Sequence, residues 1–313
     1  MTAAISIENL TKSYPARSGA IRAIDGLDLE VPTGEVFGFL GANGAGKTTT
    51  IRAIVGHTRA TSGTIQIFGS PVPRQLPEVI DRVGALVESP LFFPNFSGRK
   101  NLELLARSRR FPLERVDESL ETVGLQDRAG SRFGSYSLGM KQRLGVASVL
   151  LKNPDLLILD EPANGLDPPG ILEMRKLMRT LSEQGKTVFV SSHILSEIEH
   201  TCDRVAIIAR GKLVRTGSVQ EILSAGTTSR FTVKVPGGSE SRENAARALL
   251  AAGWSVFSDE RGDMLVEVGE ERAHEVTAHL AGVGLWVSEL SPVARSLEDA
   301  FLELTNAANG GEG

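Results

Sequence analysis

The stretch GANGAGKTT, residues 41–49, constrains this chain more than any other. It fits the pattern G-x-x-x-x-G-K-[ST] and stands between an apolar run, EVFGFL, and a helix-like run, KTTTIRAIVGH. Strand, glycine loop and helix in that order are the context in which the pattern binds phosphate. Gly41, Gly44 and Gly46 let the backbone wrap closely, so that N–H groups of a loop that also holds Asn43 and Ala45 face an anion. Lys47 adds a point charge for the β- and γ-phosphates and Thr48 a hydroxyl for Mg²⁺. Thr49 leads into a helix whose dipole strengthens the attraction.

A phosphate loop alone fits kinases, GTPases and ATPases. A second motif narrows the choice. DLLILD, residues 155–160, is a continuous aliphatic run of the kind found in a strand buried on both faces. Asp160, at its end, is placed to hold Mg²⁺ directly or through water, and Glu161 to polarise an attacking water. Adjacent strand residues point to opposite faces, so both acids reach one site only if the strand ends there; Pro162 supports that ending. Around these motifs DRVGALVE, KTVFVSSH and DRVAIIARGKLVRTG read as strands, and SGRKNLELLARSRR and LERVDESLETVGL as helices. The alternation predicts an α/β core with a largely parallel sheet.

The texture changes near LSAGTTSR, residues 223–230. FTVKV, SRENAARALLAAG, WSVFSD, MLVEVG, EERAHEVTAHLAGVG and LWVSEL then follow in the order β-α-β-β-α-β, a split βαβ arrangement. The expected organisation is a first domain over 1–223, a small α+β accessory domain over 224–308 and a disordered glycine-rich tail over 309–313. The 313 residues, 41 % of them hydrophobic, suffice for two domains with sizeable cores. A net charge of −4 argues against nucleic acid as a partner. The single cysteine, Cys202, excludes an intrachain disulfide framework and a cysteine zinc site, and reads as a small buried residue. No run approaches the roughly 18–20 apolar residues needed to span a bilayer, and the start of the chain has no apolar signal core. The expectation is a cytosolic chain that works at a membrane only through a partner.

GSYSLGMKQRLG, residues 134–145, poses a question. Ser137 is a good N-cap, and Met140, Leu144, Ala147 and Leu151 fall on one helical face. The first turn holds no acidic residue, and a helix N-terminus attracts an anion. An ordinary Ser-capped surface helix accounts for the pattern as well as an anion site does.

Taken together, these motifs resemble the ATP-binding subunit of a bacterial ABC transporter over about residues 4–223. Tyr14, in LTKSYPA, is similar to the family's adenine-stacking aromatic, although a strand-flanking surface aromatic is the simpler reading of Tyr14 alone. YSLGM, residues 136–140, is similar to the signature LSGGQ, with Leu138 for the first glycine and Met140 for glutamine. LLILDE resembles the strand carrying the magnesium aspartate and catalytic glutamate. NGLD, residues 164–167, resembles the loop that crosses the dimer interface; Asp167 also fits a simple turn residue. His193, in SSHIL, resembles the switch histidine, where it would contact the γ-phosphate and orient Glu161; a capped core histidine is the alternative. The resemblance implies a P-loop NTPase fold of the ABC type, ATP and Mg²⁺ as ligands, and head-to-tail dimerisation. Ser137 and the N–H groups around Gly139 would then bind the γ-phosphate of ATP held by the other subunit.

One phosphate loop and one signature imply that the chain pairs with a second copy of itself or with a paralogous ATP-binding subunit. They also imply separate transmembrane permease subunits and a place at the cytoplasmic face of the membrane. The tail with SLEDAFLELT, and the runs LVESPLFFPNFSGRKNL and YSLGMKQRLGVA, resemble the drug- and antibiotic-export branch, including bacitracin- and lantibiotic-type transporters. Glu88 stands where the wider family has glutamine; a carboxylate there can hold a water on Mg²⁺ but cannot donate an amide hydrogen bond. The aromatic cluster after it would face the permease or pack on its own domain. An ATP-switched binding module without transport is the alternative function.

Overall fold

The computed structural model describes residues 3–16, 19–87, 91–224, 229–258, 262–293 and 296–310. The chain opens with two long strands, β1 (Ile5–Ala16) and β2 (Gly19–Val31), paired antiparallel with register shifts after Ile7, Leu10 and Lys12. Next come β3 (Val36–Leu40), buried at every position, and α1 (Lys47–Ile54). β4 (Ser62–Ile67) and β5 (Ser70–Val72) complete a four-stranded antiparallel sheet in the order β2-β1-β4-β5. The sequence predicts no such sheet. Its signal is diluted because the bulged β1 interleaves polar residues with its buried Ile5, Ile7 and Leu10.

The helical segments predicted between the phosphate loop and DLLILD form as α3 (Gly98–Arg109) and α4 (Glu114–Thr122), after a short α2 (Leu76–Val79) and β6 (Val83–Leu86). α5 (Leu138–Leu150) leads into β7 (Leu156–Asp160), α6 (Pro168–Glu183), β8 (Thr187–Ser192) and α7 (Leu195–Thr201). β9 (Arg204–Ala209) and β10 (Lys212–Ser218) form a hairpin, and α8 (Val219–Ser224) follows. The hairpin turn, Arg210-Gly211, has φ of 49° and 79°, the two positive values that a tight primed turn requires. The central sheet runs β10-β9-β3-β8-β7-β6, parallel except for β10. Phe189 of β8 packs on Phe37 and Phe39 of β3, with centroids 6.0 and 5.4 Å apart, and all three rings are fully buried. Full burial of such a side chain stabilises the fold by roughly 1.5–3 kcal/mol, so these rings fix β3 against β8 at the base of the phosphate loop.

The chain divides into two compact units, 1–219 with 303–313, and 220–302. Within the second, β11 (Ser229–Lys234), α9 (Gly238–Ala251), β12 (Ser255–Ser258), β13 (Met264–Val268), α10 (Ala273–Gly282), β14 (Glu289–Val293) and the start of α11 (Leu297–Gly310) follow one another. The sheet order is β12-β13-β11-β14, antiparallel throughout, which is the split βαβ topology. Phe231, Val233, Val266, Leu249, Val276 and Leu280 form its core. The last strand lies later than LWVSEL: it occupies 289–293, where Pro292 is tolerated because β14 is an edge strand. α11 extends through 309–310, the first two residues of the stretch predicted as tail; residues 311–313 lie outside the described residues.

Candidate nucleotide site

The loop after β3 folds as its glycines require. Gly44 and Gly46 have φ of 81° and 111°, and a Cβ on Gly46 would stand 2.6 Å from Ala23 O. A Cβ on Gly41 would stand 2.7 Å from Ile208 O of β9, so the loop start is pressed onto the sheet. Gly46 caps α1 without a side-chain bond, and the first turn of α1 holds no acid, which leaves the positive end of the helix for a ligand. The N–H of Ala45 bonds Ala42 O (3.1 Å).

Lys47 is buried. Its Nζ donates to Gly41 O (2.7 Å) and pairs with Glu161 Oε1 at 3.1 Å. The other oxygen of Glu161 meets His193 Nδ1 at 2.7 Å. Glu161 joins this group because the strand does end before it: Asp160 is the last residue of β7, and Glu161 turns into the left-handed region at φ 50°. That conformation is costly for a residue with a Cβ and is common where function constrains the backbone. Asp160 Oδ2 accepts from Thr48 Oγ1 (2.9 Å), bringing the two predicted metal ligands together.

Ser191 is a site residue that no sequence motif announces. The parallel register of β7 on β8 sets it opposite Asp160. Fully buried, it donates its hydroxyl to Asp160 Oδ1 (2.5 Å) and accepts from the Glu161 N–H (3.0 Å). One side chain thus holds the Asp160 carboxylate and the Glu161 backbone. A cavity of about 350 Å³ opens above this group, lined by Asn43, Gly44, Gly46, Lys47, Thr48, Thr49, Glu161 and His193. Ala23 of β2 and Asn164 line it too, and neither was predicted as a site residue.

Tyr14, Ser137, Gly139 and Asp167 are not among the residues that line this cavity. Tyr14, on β1, is 38 % exposed, with Lys12 Nζ 4.8 Å over its ring. Ser137 is exposed and caps α5, its Oγ accepting from Met140 N (3.3 Å); no acid lies in that first turn. Gly139 faces Gly170 and Leu166, where a Cβ would meet ordinary contacts at 3.8 Å. Asp167 is exposed and caps α6, accepting from Gly170 N (3.2 Å). Glu88 lies outside the described residues.

A strand–phosphate loop–helix unit, with two acids at the end of β7, a parallel strand of the same sheet with β8 between it and β3, defines a P-loop NTPase. The family described as ABC transporter matches residues 24–164. The chain is 40 % identical over 308 residues to the uncharacterized ABC transporter ATP-binding protein YhcH of Bacillus subtilis (strain 168), covering 97 % of each. Over 216 residues it is 49 % identical to the bacitracin transport ATP-binding protein BcrA of Bacillus licheniformis, covering 68 % of this chain and 69 % of that protein. Among solved structures, cbiO1 from Clostridium perfringens, part of the ABC transporter complex cbiONQ, has a TM-score of 0.64 at 27 % identity, covering 71 % of this chain and 91 % of that one. The dimeric structure of the ABC transporter cassette MJ0796 shares the fold, with a TM-score of 0.61 at 24 % identity, covering 69 % of this chain and 98 % of that one. The chain belongs to the ABC transporter ATP-binding proteins and is an ATPase of that family.

Proposed function

We propose that this chain is the ATP-hydrolysing subunit of an exporter, pairing head to tail with a second copy or a paralogous ATP-binding subunit and driving separate permease subunits. The observation that carries the hydrolytic part is Glu161 between Lys47 and His193 at the mouth of the phosphate loop. Asn43, Gly44, Gly46, Thr48, Thr49 and Lys47 hold the phosphates, with Gly41 and Ala45 shaping the loop behind them. Glu161 takes a proton from the attacking water as general base, and His193 orients Glu161 and the γ-phosphate. Tyr14 stacks on the adenine.

The donor set suits Mg²⁺: a hydroxyl and a carboxylate, both hard oxygen donors, already 2.9 Å apart. No group of three or more His, Cys, Asp or Glu among the described residues could hold a metal by itself, so Thr48 and Asp160 would share the ion with phosphate oxygens and water. When bound, the ion neutralises charge on the β- and γ-phosphates. Glu88 would hold a water on it and relay to the permease.

The exposed Ser137 and the half-buried Gly139, away from this chain's own phosphate cavity, suit a signature that completes the partner's site. No helix among the described residues is long and apolar enough to cross a membrane, which suits peripheral attachment on the cytoplasmic face through the permease. The relatives named for bacitracin transport support a peptide antibiotic or another amphipathic drug as cargo. The test is co-purification with a membrane protein, followed by phosphate release with and without bacitracin. Stimulated turnover in the complex is expected. ATP binding with neither a membrane partner nor stimulation would overturn the transport reading in favour of an ATP-switched module.

A further inference from the structure

A second acid lies behind the Glu161–His193 pair. Glu197, in the first turn of α7, is buried. Its Oε2 accepts from Ser192 Oγ (3.3 Å), while Oε1 is enclosed with no hydrogen-bond partner among the described residues. A buried carboxylate with one unpartnered oxygen is costly, and an apolar side chain of similar volume would avoid that cost. The position of this acid therefore calls for a role beyond packing.

Its single bond leads to the switch histidine. Ser192, buried at the end of β8, accepts from Ile194 N (2.9 Å), and its hydroxyl stands 3.4 Å from Ile194 O. Ser192 precedes His193 and Ile194 follows it, so these bonds clamp the backbone on both sides of the histidine. His193 itself is one-third exposed and reaches Glu161 by a single ring nitrogen. The backbone that carries the ring is held by the Ser192 hydroxyl through Ile194, the residue on its far side. The Ser192 hydroxyl has two uses: it can donate to Glu197 or to Ile194 O. An ionised Glu197 can only accept, and so draws the hydroxyl to itself.

Among the described residues, the charged groups that act on Glu197 are Arg175, Glu161 and His193. Burial raises its pKa above the ordinary carboxylate value; the Ser192 hydrogen bond and Arg175 of α6 lower it, Glu161 raises it and His193 lowers it. Glu161 and His193 thus both act on this acid through their charge.

We propose that Glu197 is a positioning residue for hydrolysis, fixing through Ser192 the turn that aims His193 at Glu161. The inference rests on the roles given above to Glu161 and His193. The test uses the full chain with Ser192→Ala, Glu197→Leu, the double variant and Ser192→Thr, beside His193→Ala and Glu161→Gln as controls. Steady-state ATPase kinetics and the imidazole ¹⁵N resonances of His193, assigned by their loss in His193→Ala, are the readouts.

Ser192→Ala and Glu197→Leu each remove the Ser192–Glu197 hydrogen bond and should each lower kcat about tenfold with little change in KM, because small misplacements of a catalytic group are costly. The double variant should be no worse than the worse single, since both act through one hydrogen bond. Ser192→Thr should restore most of the rate, and the His193 resonances should shift in both single variants. Unchanged kcat in both singles, losses that add, or a change confined to KM would overturn the positioning role. Glu161→Gln, measured alongside, separates the two levels: wild-type turnover there would overturn the site reading and this inference with it. Full dependence on Glu161 with indifference to Ser192 and Glu197 would overturn the inference alone.

Discussion

Lys47 and Glu161 form an ion pair, 3.1 Å from Nζ to Oε1, between the lysine of the phosphate loop and the acid at the end of β7. The lysine is 6 % exposed, so each charge substantially offsets the desolvation of the other. ATP must compete for this lysine, since the same Nζ is the point charge available to the β- and γ-phosphates. In the proposed mechanism Glu161 would therefore oppose binding even as it serves hydrolysis.

Replacing Glu161 by Gln separates these effects. The amide keeps the shape and loses the charge, so it releases Lys47 and no longer repels phosphate. ATP affinity should match or exceed that of the wild type, while hydrolysis falls on the order of 10²–10⁴-fold with loss of the general base. Nucleotide titration and single-turnover phosphate release measure the two quantities. Weaker binding with normal turnover would contradict both assignments.

Ser191→Ala leaves Asp160 and the Glu161 N–H each without one buried hydrogen bond. Removing the partner that orients a metal-binding carboxylate typically costs about 10–100-fold in metal affinity. The Mg²⁺ concentration giving half-maximal ATPase should rise by about that factor, while ATP binding without metal changes little. A Mg²⁺ titration that overlays the wild type would show that Asp160 needs no such support.

How legible these residues were in the sequence follows from the range of the contacts. Lys47 and Thr48 sit in one local motif, and Asp160 with Glu161 in another, so residue type and spacing sufficed to find them. Ser191 owes its place to the register of β7 on β8, a pairing between residues 31 apart in the chain. Ala23 reaches the cavity from the antiparallel sheet whose bulged first strand masks its own periodicity. The turn of Glu161 was foreseen through Pro162, but its left-handed backbone was not, because nothing in residue type announces it.

Gly46→Ala should damage the loop out of proportion to its size. The new Cβ would stand 2.6 Å from Ala23 O, at φ 111°, where L side chains are strained. Holding such a conformation costs about 1–3 kcal/mol before the clash is counted. The melting temperature should fall, and ATP affinity should fall further because the loop must open to relieve the contact. An unchanged melt with normal binding would mean that the loop tolerates a different path.

Cys202 offers a pH test of the fold. It is buried, and burial pushes its thiol well above the ordinary value, with Asp203 adding to the rise and Arg179 opposing it. In the unfolded chain the thiol ionises near pH 8.5, while in the folded chain it keeps its proton. The unfolded state then binds fewer protons, so this group's contribution is complete below about pH 8.5 and is lost as pH rises above it. Stability should fall more steeply between pH 8.5 and 10 in the wild type than in Cys202→Ala. Thiol labelling of the native protein should proceed only at the rate of unfolding. Rapid labelling at pH 8, or parallel pH slopes for the two proteins, would rule out the buried neutral thiol.

Head-to-tail pairing makes a prediction that no single-site reading shares. Lys47→Ala removes the phosphate charge of a chain's own site, and Ser137→Arg places a bulky cation on the exposed cap of α5 that would face the partner's ATP. Each variant alone should be inactive, because every site in its homodimer carries the defect. When the two proteins are mixed, a heterodimer places both defects in one composite site. The other site keeps the intact phosphate loop of one chain and the intact signature of the other. Hydrolysis should therefore reappear on mixing, at about a quarter of the wild-type rate if subunits exchange at random and one sound site suffices. That fraction follows because half the dimers are mixed and half of their sites are intact. Activity rising with the concentration of either partner would mark dimer assembly as the limiting step. A mixture as inactive as its components, although the heterodimer is seen by mass, would show that Ser137 serves the site of its own chain, and the head-to-tail arrangement would have to be abandoned.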